Sequence, residues 1–399
     1  MVPGATDNPL DGPARHVHEI SKRLAKKGFI ILNVIPCLSK QSSPRSAADS
    51  YALTEIPVTD LRLIESVLTR VDGHLGSIFH YCRLMEAMNK LLRTLDRPII
   101  LHMHGAYGFH VLTQSVNQSK LCKRLVTIHG FAQLDALAKG HSRLKATLLQ
   151  SFLKTTYQKA IHYTTFSKTM MGLANRLYEL DPGRVTIVPH GVDTNFFSPQ
   201  ANTAEIERID SRLKLGKPHK VLFLGHMGKG KGLNILLEAF RILKHRRSDI
   251  MLIVKIGIEN DRLAMLRLSE RLGIRDLVRV ISEKLSQADL RALYKASDVF
   301  VNYHLLSGHS TALLEAMASG IPSITYKQSI NMDIVDQSCS IILETLKATE
   351  LADGIETLVA DKNLARTLGR NAMEKVQREF DWEKVIVPRY MSVYRNMED

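Results

Sequence analysis

The 399-residue chain has no apolar run of about eighteen residues or more, so no segment of the sequence reads as a membrane-spanning helix. Cysteine is scarce. The four present, Cys37, Cys82, Cys122 and Cys339, are scattered with no C-x-x-C pair. That spacing argues against structural zinc and against a disulfide framework, and it fits a reducing cytoplasm. The opening "MVPGATDNPLDGPARH" lacks the basic-then-apolar pattern of a secretion signal. Acidic residues are short in number too: 40 Asp and Glu face 54 Lys and Arg, a net charge of +14. The imbalance is concentrated in residues 1–200, which hold 24 basic and 14 acidic side chains. A basic first half points to an anionic partner, whether nucleic acid, an acidic membrane surface or a charged substrate; a solvated basic surface with no partner is the plain alternative. The basic residues are not interleaved with an aromatic platform, which sets nucleic acid aside.

What is present is ordinary for a globular protein, with 45% hydrophobic and 24% charged residues and enough length for two cores. Short aliphatic runs alternate with helical patterns. The strand candidates in the first half are 29–34 (FIILNV), 99–104 (IILHMH), 125–128 (LVTI), 162–166 (HYTTF) and 185–188 (VTIV). The second half repeats the theme with "KVLFLG", "MLIVKIG", "LVRVIS", "DVFVNY" and "PSITY". Near-continuous apolar strands are those buried on both faces. Two successive βαβ series predict an α/β protein of two doubly wound, Rossmann-like domains, 1–198 and 220–378. The polar stretch 199–219 reads as a linker, and ligands are expected at the carboxyl ends of the strands, in the cleft between the domains. The helix "ARHVHEISKRLAKKG" stops on Gly28, but only "MVP" precedes its loop. The first strand of that domain is therefore expected to be absent or vestigial, as a mis-assigned start or a truncation would leave it.

The segment "FLGHMGKGKGLNILLEAF" (223–240) is one residue short of a phosphate-binding loop. Such a loop needs Ser or Thr after its Lys to bind magnesium, and here Gly232 follows Lys231. The strand "MLIVKIG" also ends in Lys255 and Gly257 with no acid. A kinase is set aside, yet a strand ending at Gly225, a glycine turn, Lys231 and a helix from near Leu233 still suit an anion held without metal. A mobile turn with a solvated lysine is the other reading. In "SGHSTALLEAMASGIPSITY" (307–326), Ser310 or Thr311 caps a helix that stops at Gly320, and the amides beside it form a second anion site. Glu315 reads either as an acid favoured by the helix dipole or as an acceptor for two ribose hydroxyls. In "VTIVPHGVDTNFFSP" (185–199), Gly191 is expected to supply a conformation other residues avoid, and Asp193 and Asn195 to cap turns.

Taken in order, "IVPHGVDTNFF", "FLGHMGKGKGLNILLEAF", "LRALYKASDVFVN" and "ALLEAMASGIPSI" resemble the retaining glycosyltransferases of the GT-B fold in family four, the glycosyl transferases group 1. "GPARHVHEISKRLAKKGFII", "LHMHGAYG" and "LVTIHG" are similar to that family's acceptor-side domain, and "FDWEKVIVPRYMSVYRN" to its terminal helix, which returns from 379–399 to the first domain. The resemblance implies a UDP- or GDP-sugar donor as co-substrate, no further cofactor and no metal. Lys231 would neutralise the departing diphosphate, and Glu315 would hold the ribose. Gly225, Ser307, Gly308, His309, Ser310 and Thr311 would line the donor, with Gly12 by the diphosphate. His129 would approach the donor sugar, or be an ordinary strand-end histidine, while His104 reads as structural. The family usually carries Arg where His226 stands and Glu where Ser307 stands; those two departures motivate the alternative of a catalytically impaired nucleotide- or glycan-binding protein.

The acceptor expected is a glycan or a lipid-linked species, in the biosynthesis of cell-surface polysaccharide or glycolipid. The stretch "HSRLKATLLQSFLKTTYQKA" (141–160) has apolar residues at helical spacing and several lysines. It reads either as a core-packed helix with a basic outer face or as an interfacial helix on an anionic leaflet, peripheral to the cytoplasmic membrane face.

Overall fold

The computed structural model describes residues 12–28, 32–37, 52–57, 99–104, 122–131, 133, 134, 137, 142–158, 160–200, 203–225, 232–257, 259–303, 309–327 and 330–398. The chain divides into two compact units. One takes Met1–Gln133, Ser142–Val188 and Val387–Asp399; the other takes Leu134–His141 and Pro189–Ile386. Both are α/β, and among the described residues every paired strand is parallel.

The first unit holds a parallel pair, β1 (Leu32–Cys37) with β2 (Ala52–Pro57), and a four-stranded sheet. That sheet runs β3 (Ile99–His104), β4 (Cys122–Thr127), β5 (His162–Thr165) and β6 (Val185–Ile187) in simple order. Helix Gly12–Lys26 ends as its sequence requires: Gly28 takes φ +90°, open to glycine at little cost, and its N–H caps the Ala25 carbonyl at 3.0 Å. Gly12, expected in a glycine loop, is instead the first residue of this helix. Helix Lys168–Tyr178 starts on Ser167, whose hydroxyl accepts from Met170 N–H at 3.2 Å. The residues ahead of Gly12, where the missing strand was expected, lie outside the described residues.

The second unit is a six-stranded sheet in the order β12-β11-β10-β7-β8-β9. Its strands are β7 (His219–Leu224), β8 (Ile250–Lys255), β9 (Val278–Ile281), β10 (Val299–Asn302), β11 (Ser323–Tyr326) and β12 (Ser340–Leu343). Alternate residues of β8 serve opposite cores. Leu252 and Val254 pack with Phe240 and Ile355 on one face, while Met251 and Ile253 pack with Tyr294 and Leu314 on the other. Two buried faces explain why "IMLIVK" reads as an unbroken apolar run.

Three expectations change. The stretch 199–219, read as a linker from its polarity, carries helix Thr203–Leu213, which buries Ile209, Leu213 and nearby Leu215 in the second unit's core. Its charged outer face had masked an amphipathic helix. The terminal segment also divides later than its sequence suggested: residues through Ile386 belong to the second unit, and helix Val387–Glu398 belongs to the first. Before that division, Asp381 accepts from the N–H groups of Glu383 at 2.9 Å and Lys384 at 2.8 Å, and from the Thr194 hydroxyl. Gly191 is needed for space and not for backbone conformation: it has no positive φ, and a Cβ there would stand 2.4 Å from the Trp382 ring. Asp193 does cap its turn, accepting from Phe196 N–H at 2.9 Å.

Candidate functional site

The order of the six-stranded sheet fixes where a ligand can sit. From β7 the chain winds outward through β8 and β9, then returns to β10 and winds the other way through β11 and β12. The switch point therefore lies where β7 pairs with β10, with Val221 beside Val299 and Leu222 beside Phe300. In doubly wound sheets a crevice opens at the carboxyl ends of the two strands flanking that point. Both constellations singled out in the sequence leave from those ends.

The first leaves β7 at Gly225, whose N–H is held by the Lys255 carbonyl at 3.1 Å, and the described residues resume at Gly232. Gly232 is the N-cap of helix Leu233–Lys244, at φ +65° and with no side-chain cap. A Cβ there would lie 2.3 Å from Cδ1 of Tyr303 and 2.8 Å from its carbonyl oxygen. Two constraints thus explain the missing hydroxyl: the left-handed backbone and the close approach of the residue that follows β10. The Gly232 carbonyl accepts from Ile235 and Leu236 N–H, both at 3.1 Å, so the helix itself leaves its earliest amides without a partner at the strand edge.

The second constellation follows β10. Ser310 is the N-cap of helix Thr311–Ala318, and its hydroxyl accepts from Leu313 N–H at 3.2 Å. Its own N–H donates to Asn331 Oδ1 at 2.9 Å. The hydroxyl and amide of Ser310 are therefore already engaged, and its contribution is to fix the first turn. His309 is buried between the rings of His190 and Phe380, each 5.7 Å away. Burial pulls its pKa down to about 3, against a smaller opposing pull from Asp333. A neutral ring at that place knits the helix start to the "PHG" turn and brings no charge to an anion. Glu315, 4% exposed, accepts from the Tyr294 hydroxyl at 2.9 Å, and the same hydroxyl reaches the Ala312 carbonyl at 3.2 Å. Tyr294 so helps to fix the rotamer of a buried carboxylate, a group that can accept several hydrogen bonds. His226, Lys231, Ser307 and Gly308 lie outside the described residues.

His129 belongs to the first unit, where it lies among other imidazoles. Four imidazoles gather there: His104 Nδ1 and His129 Nε2 are 3.1 Å apart, and the His16 ring lies 5.7 and 5.6 Å from theirs. His102, two residues before His104 on the same face of β3, stacks on it with centroids 4.1 Å apart. Hydroxyl groups complete the network. Tyr390 pairs with His16 at 2.9 Å, Tyr394 with His102 at 2.7 Å, and Thr127 bridges His102 and Thr164 at 2.7 and 2.6 Å. Both tyrosines come from helix Val387–Glu398. Burial first, and then the charges of neighbouring histidines, hold His102, His104 and His129 well below the usual imidazole range, so they are neutral at pH 7. Only the H-x-H spacing of β3 could have announced the cluster. Among the described residues no three His, Cys, Asp or Glu side chains are set to hold a metal ion.

Comparison with known proteins follows the same division of the chain. A family model described as glycosyl transferases group 1 matches residues 205–375, and one described as glycosyltransferase family 4 matches residues 10–196. The D-inositol 3-phosphate glycosyltransferase of Corynebacterium aurimucosum is 27% identical over 212 residues, 51% of this chain and 50% of that one. The chain spans about half the length of the curated relatives it matches. Among solved structures, the sucrose-phosphate synthase of Thermosynechococcus elongatus superposes with a TM-score of 0.78 at 18% identity, over 97% of this chain and 93% of that one. Anabaena Alr3699/HepE, solved in complex with UDP and glucose, gives 0.72 at 14% identity over 98% and 97%. These likenesses define the GT-B fold.

Proposed function

The chain belongs to the glycosyl transferases group 1, and from that premise we propose that it is a retaining glycosyltransferase moving a hexose-type sugar from a nucleotide-diphosphate sugar to a glycan or lipid-linked acceptor. One observation carries the reading. Strands β7 and β10 lie side by side at the switch point of the second unit's sheet; Gly232, ahead of helix Leu233–Lys244, abuts Tyr303, which follows β10, and helix Thr311–Ala318 is the next described helix along the chain. Breaking the donor C–O bond builds negative charge on the diphosphate. Fixed cations and oriented amides stabilise such charge best when they are organised beforehand. In this reading Lys231 supplies the ammonium, the first turn of helix Leu233–Lys244 supplies amides, and Glu315 holds the ribose, with no metal required. Attack by an acceptor hydroxyl on the anomeric carbon, from the face the diphosphate leaves, forms the new C–O bond with retention as the donor C–O bond breaks. UDP is the nucleotide to try first, since a neighbour of the same fold was solved with it.

The departures His226 and Ser307 favour a second reading, a GT-B protein that binds nucleotide or glycan without turnover. Incubation with a panel of UDP- and GDP-sugars separates the two. Donor-dependent hydrolysis or transfer, lost in Lys231→Ala, supports the enzyme; binding with no product supports the other.

The basic first half supports docking to an anionic leaflet that carries the acceptor. Helix Arg143–Tyr157 buries Ala146, Leu153 and Tyr157, yet Leu144 and Leu148, one turn apart, are 71% and 63% exposed beside Arg143 and Lys145. Among the described residues no helix is long and apolar enough to cross a membrane. Salt-sensitive sedimentation with acidic vesicles is the expected result; indifference to vesicle charge removes the idea.

A further inference from the structure

Lys255 closes β8 at the carboxyl edge of the second unit's sheet. It forms the last pair of the β7–β8 register, opposite Leu224, and its carbonyl receives the Gly225 N–H. Side chains alternate along a strand, so Lys255 shares the face of Ile253, two residues earlier, which packs in the core beneath helices Gln287–Lys295 and Thr311–Ala318. The residue is 4% exposed. An ammonium has three N–H donors. Here Nζ donates to the Ile256 carbonyl at 2.6 Å, and among the described residues it meets no carboxylate at ion-pairing distance. Glu283, the acid whose charge it feels, is bound instead to Arg212 at 3.0 Å. Burial draws the Lys255 pKa down, with Glu283 opposing.

A buried cation satisfied by one neutral carbonyl is unfavourable by itself, because its desolvation is poorly compensated. Strand interiors at such positions are ordinarily apolar, as the five residues before it in β8 are. The position is the edge where ligands of doubly wound sheets bind, one strand from the switch point. We propose that Lys255 is a ligand-binding residue of the second unit, its ammonium receiving an oxygen acceptor of the nucleotide, either a diphosphate oxygen or a base carbonyl. The inference rests on the nucleotide-sugar reading above and adds to it a cation outside the glycine turn.

The test is Lys255→Met, which keeps the length of the stem and removes the charge. Two measurements are made on the full chain: the melting temperature without ligand, and calorimetric titration with UDP, GDP and ADP beside their nucleosides. The unliganded variant is expected to melt at or above the parent, because a poorly compensated buried charge has gone. Its Kd for the diphosphate that the parent prefers is expected to be about ten- to a hundredfold weaker, the usual worth of a hydrogen bond to a charged group. Loss confined to the diphosphate assigns the phosphate oxygens; equal loss with the nucleoside assigns the base. A variant that binds like a binding-competent parent overturns this inference alone. So does a variant that melts several degrees lower without ligand, since the Ile256 contact would then be holding the strand end. A parent that binds none of the three overturns the nucleotide reading as well.

Discussion

The two units bury polar groups in opposite ways. In the first, four imidazoles, two tyrosines and two threonines are linked to one another by hydrogen bonds. In the second, the strand edge is shaped by what is left out: a glycine where a Cβ would strike Tyr303, and a lysine that uses one donor of three. A linked network of buried polar groups rigidifies a core, whereas a buried ammonium with spare donors suits a ligand. The first unit's cluster ties the C-terminal helix to the sheet, and the second unit's edge is where the nucleotide is proposed to bind.

The contrast can be broken most forcibly at Gly232. Gly232→Ala introduces a methyl group into the Tyr303 ring at a left-handed position. We expect a loss of roughly 2–4 kcal/mol in urea unfolding, and loss of nucleotide binding with it. Trimming the ring in Gly232→Ala with Tyr303→Ala should return part of both, and no recovery would place the strain elsewhere.

Next in size is the acid response of the first unit. The folded pKa values of His102, His104 and His129 are depressed, whereas in the unfolded chain these groups titrate near ~6.5. Below that pH the unfolded chain binds protons the folded chain refuses, so stability falls as pH drops from about 6.5. Each group contributes up to about 1.4 kcal/mol per pH unit. Urea midpoints measured from pH 7.5 to 5.5 should fall steeply for the parent and less steeply for His102→Gln. A flat profile would mean that the imidazoles are solvated.

Tyr390→Phe removes the hydroxyl that pairs with His16 and strands a buried imidazole nitrogen. A loss of about 1–2 kcal/mol is expected, with nucleotide affinity unchanged, since the network serves the fold. The smallest change in stability is expected from Leu148→Ser, an exposed position where substitution should shift unfolding by no more than about 0.5 kcal/mol. Binding to acidic vesicles should nevertheless weaken if that face meets a membrane.

Much of this was legible in the sequence where periodicity and turn chemistry agreed. Strand β3 and the helix start at Leu233 lie where their residues predict, and Ser310 takes the N-cap. Strands β2 and β12 were missed because "ALTEIP" ends in proline and "SIIL" is too short to show a period. Gly191 was expected to serve backbone conformation; its actual need is room for Trp382, a residue far along the chain that no local pattern could bring near. Lys255 stood out in the sequence only as the place where an acid was lacking. Its meaning came from burial and from the sheet order, which are long-range properties.

The carboxyl edge of the second unit is proposed to grip a diphosphate with ammonium and main-chain N–H groups, without a divalent ion. Titrating UDP and GDP into the full chain in the presence of a chelator tests it most directly. Saturable heat in the chelator, weakened at least tenfold in Lys231→Ala, is the predicted result; heat that appears only once magnesium is restored, or no heat at all, would contradict it.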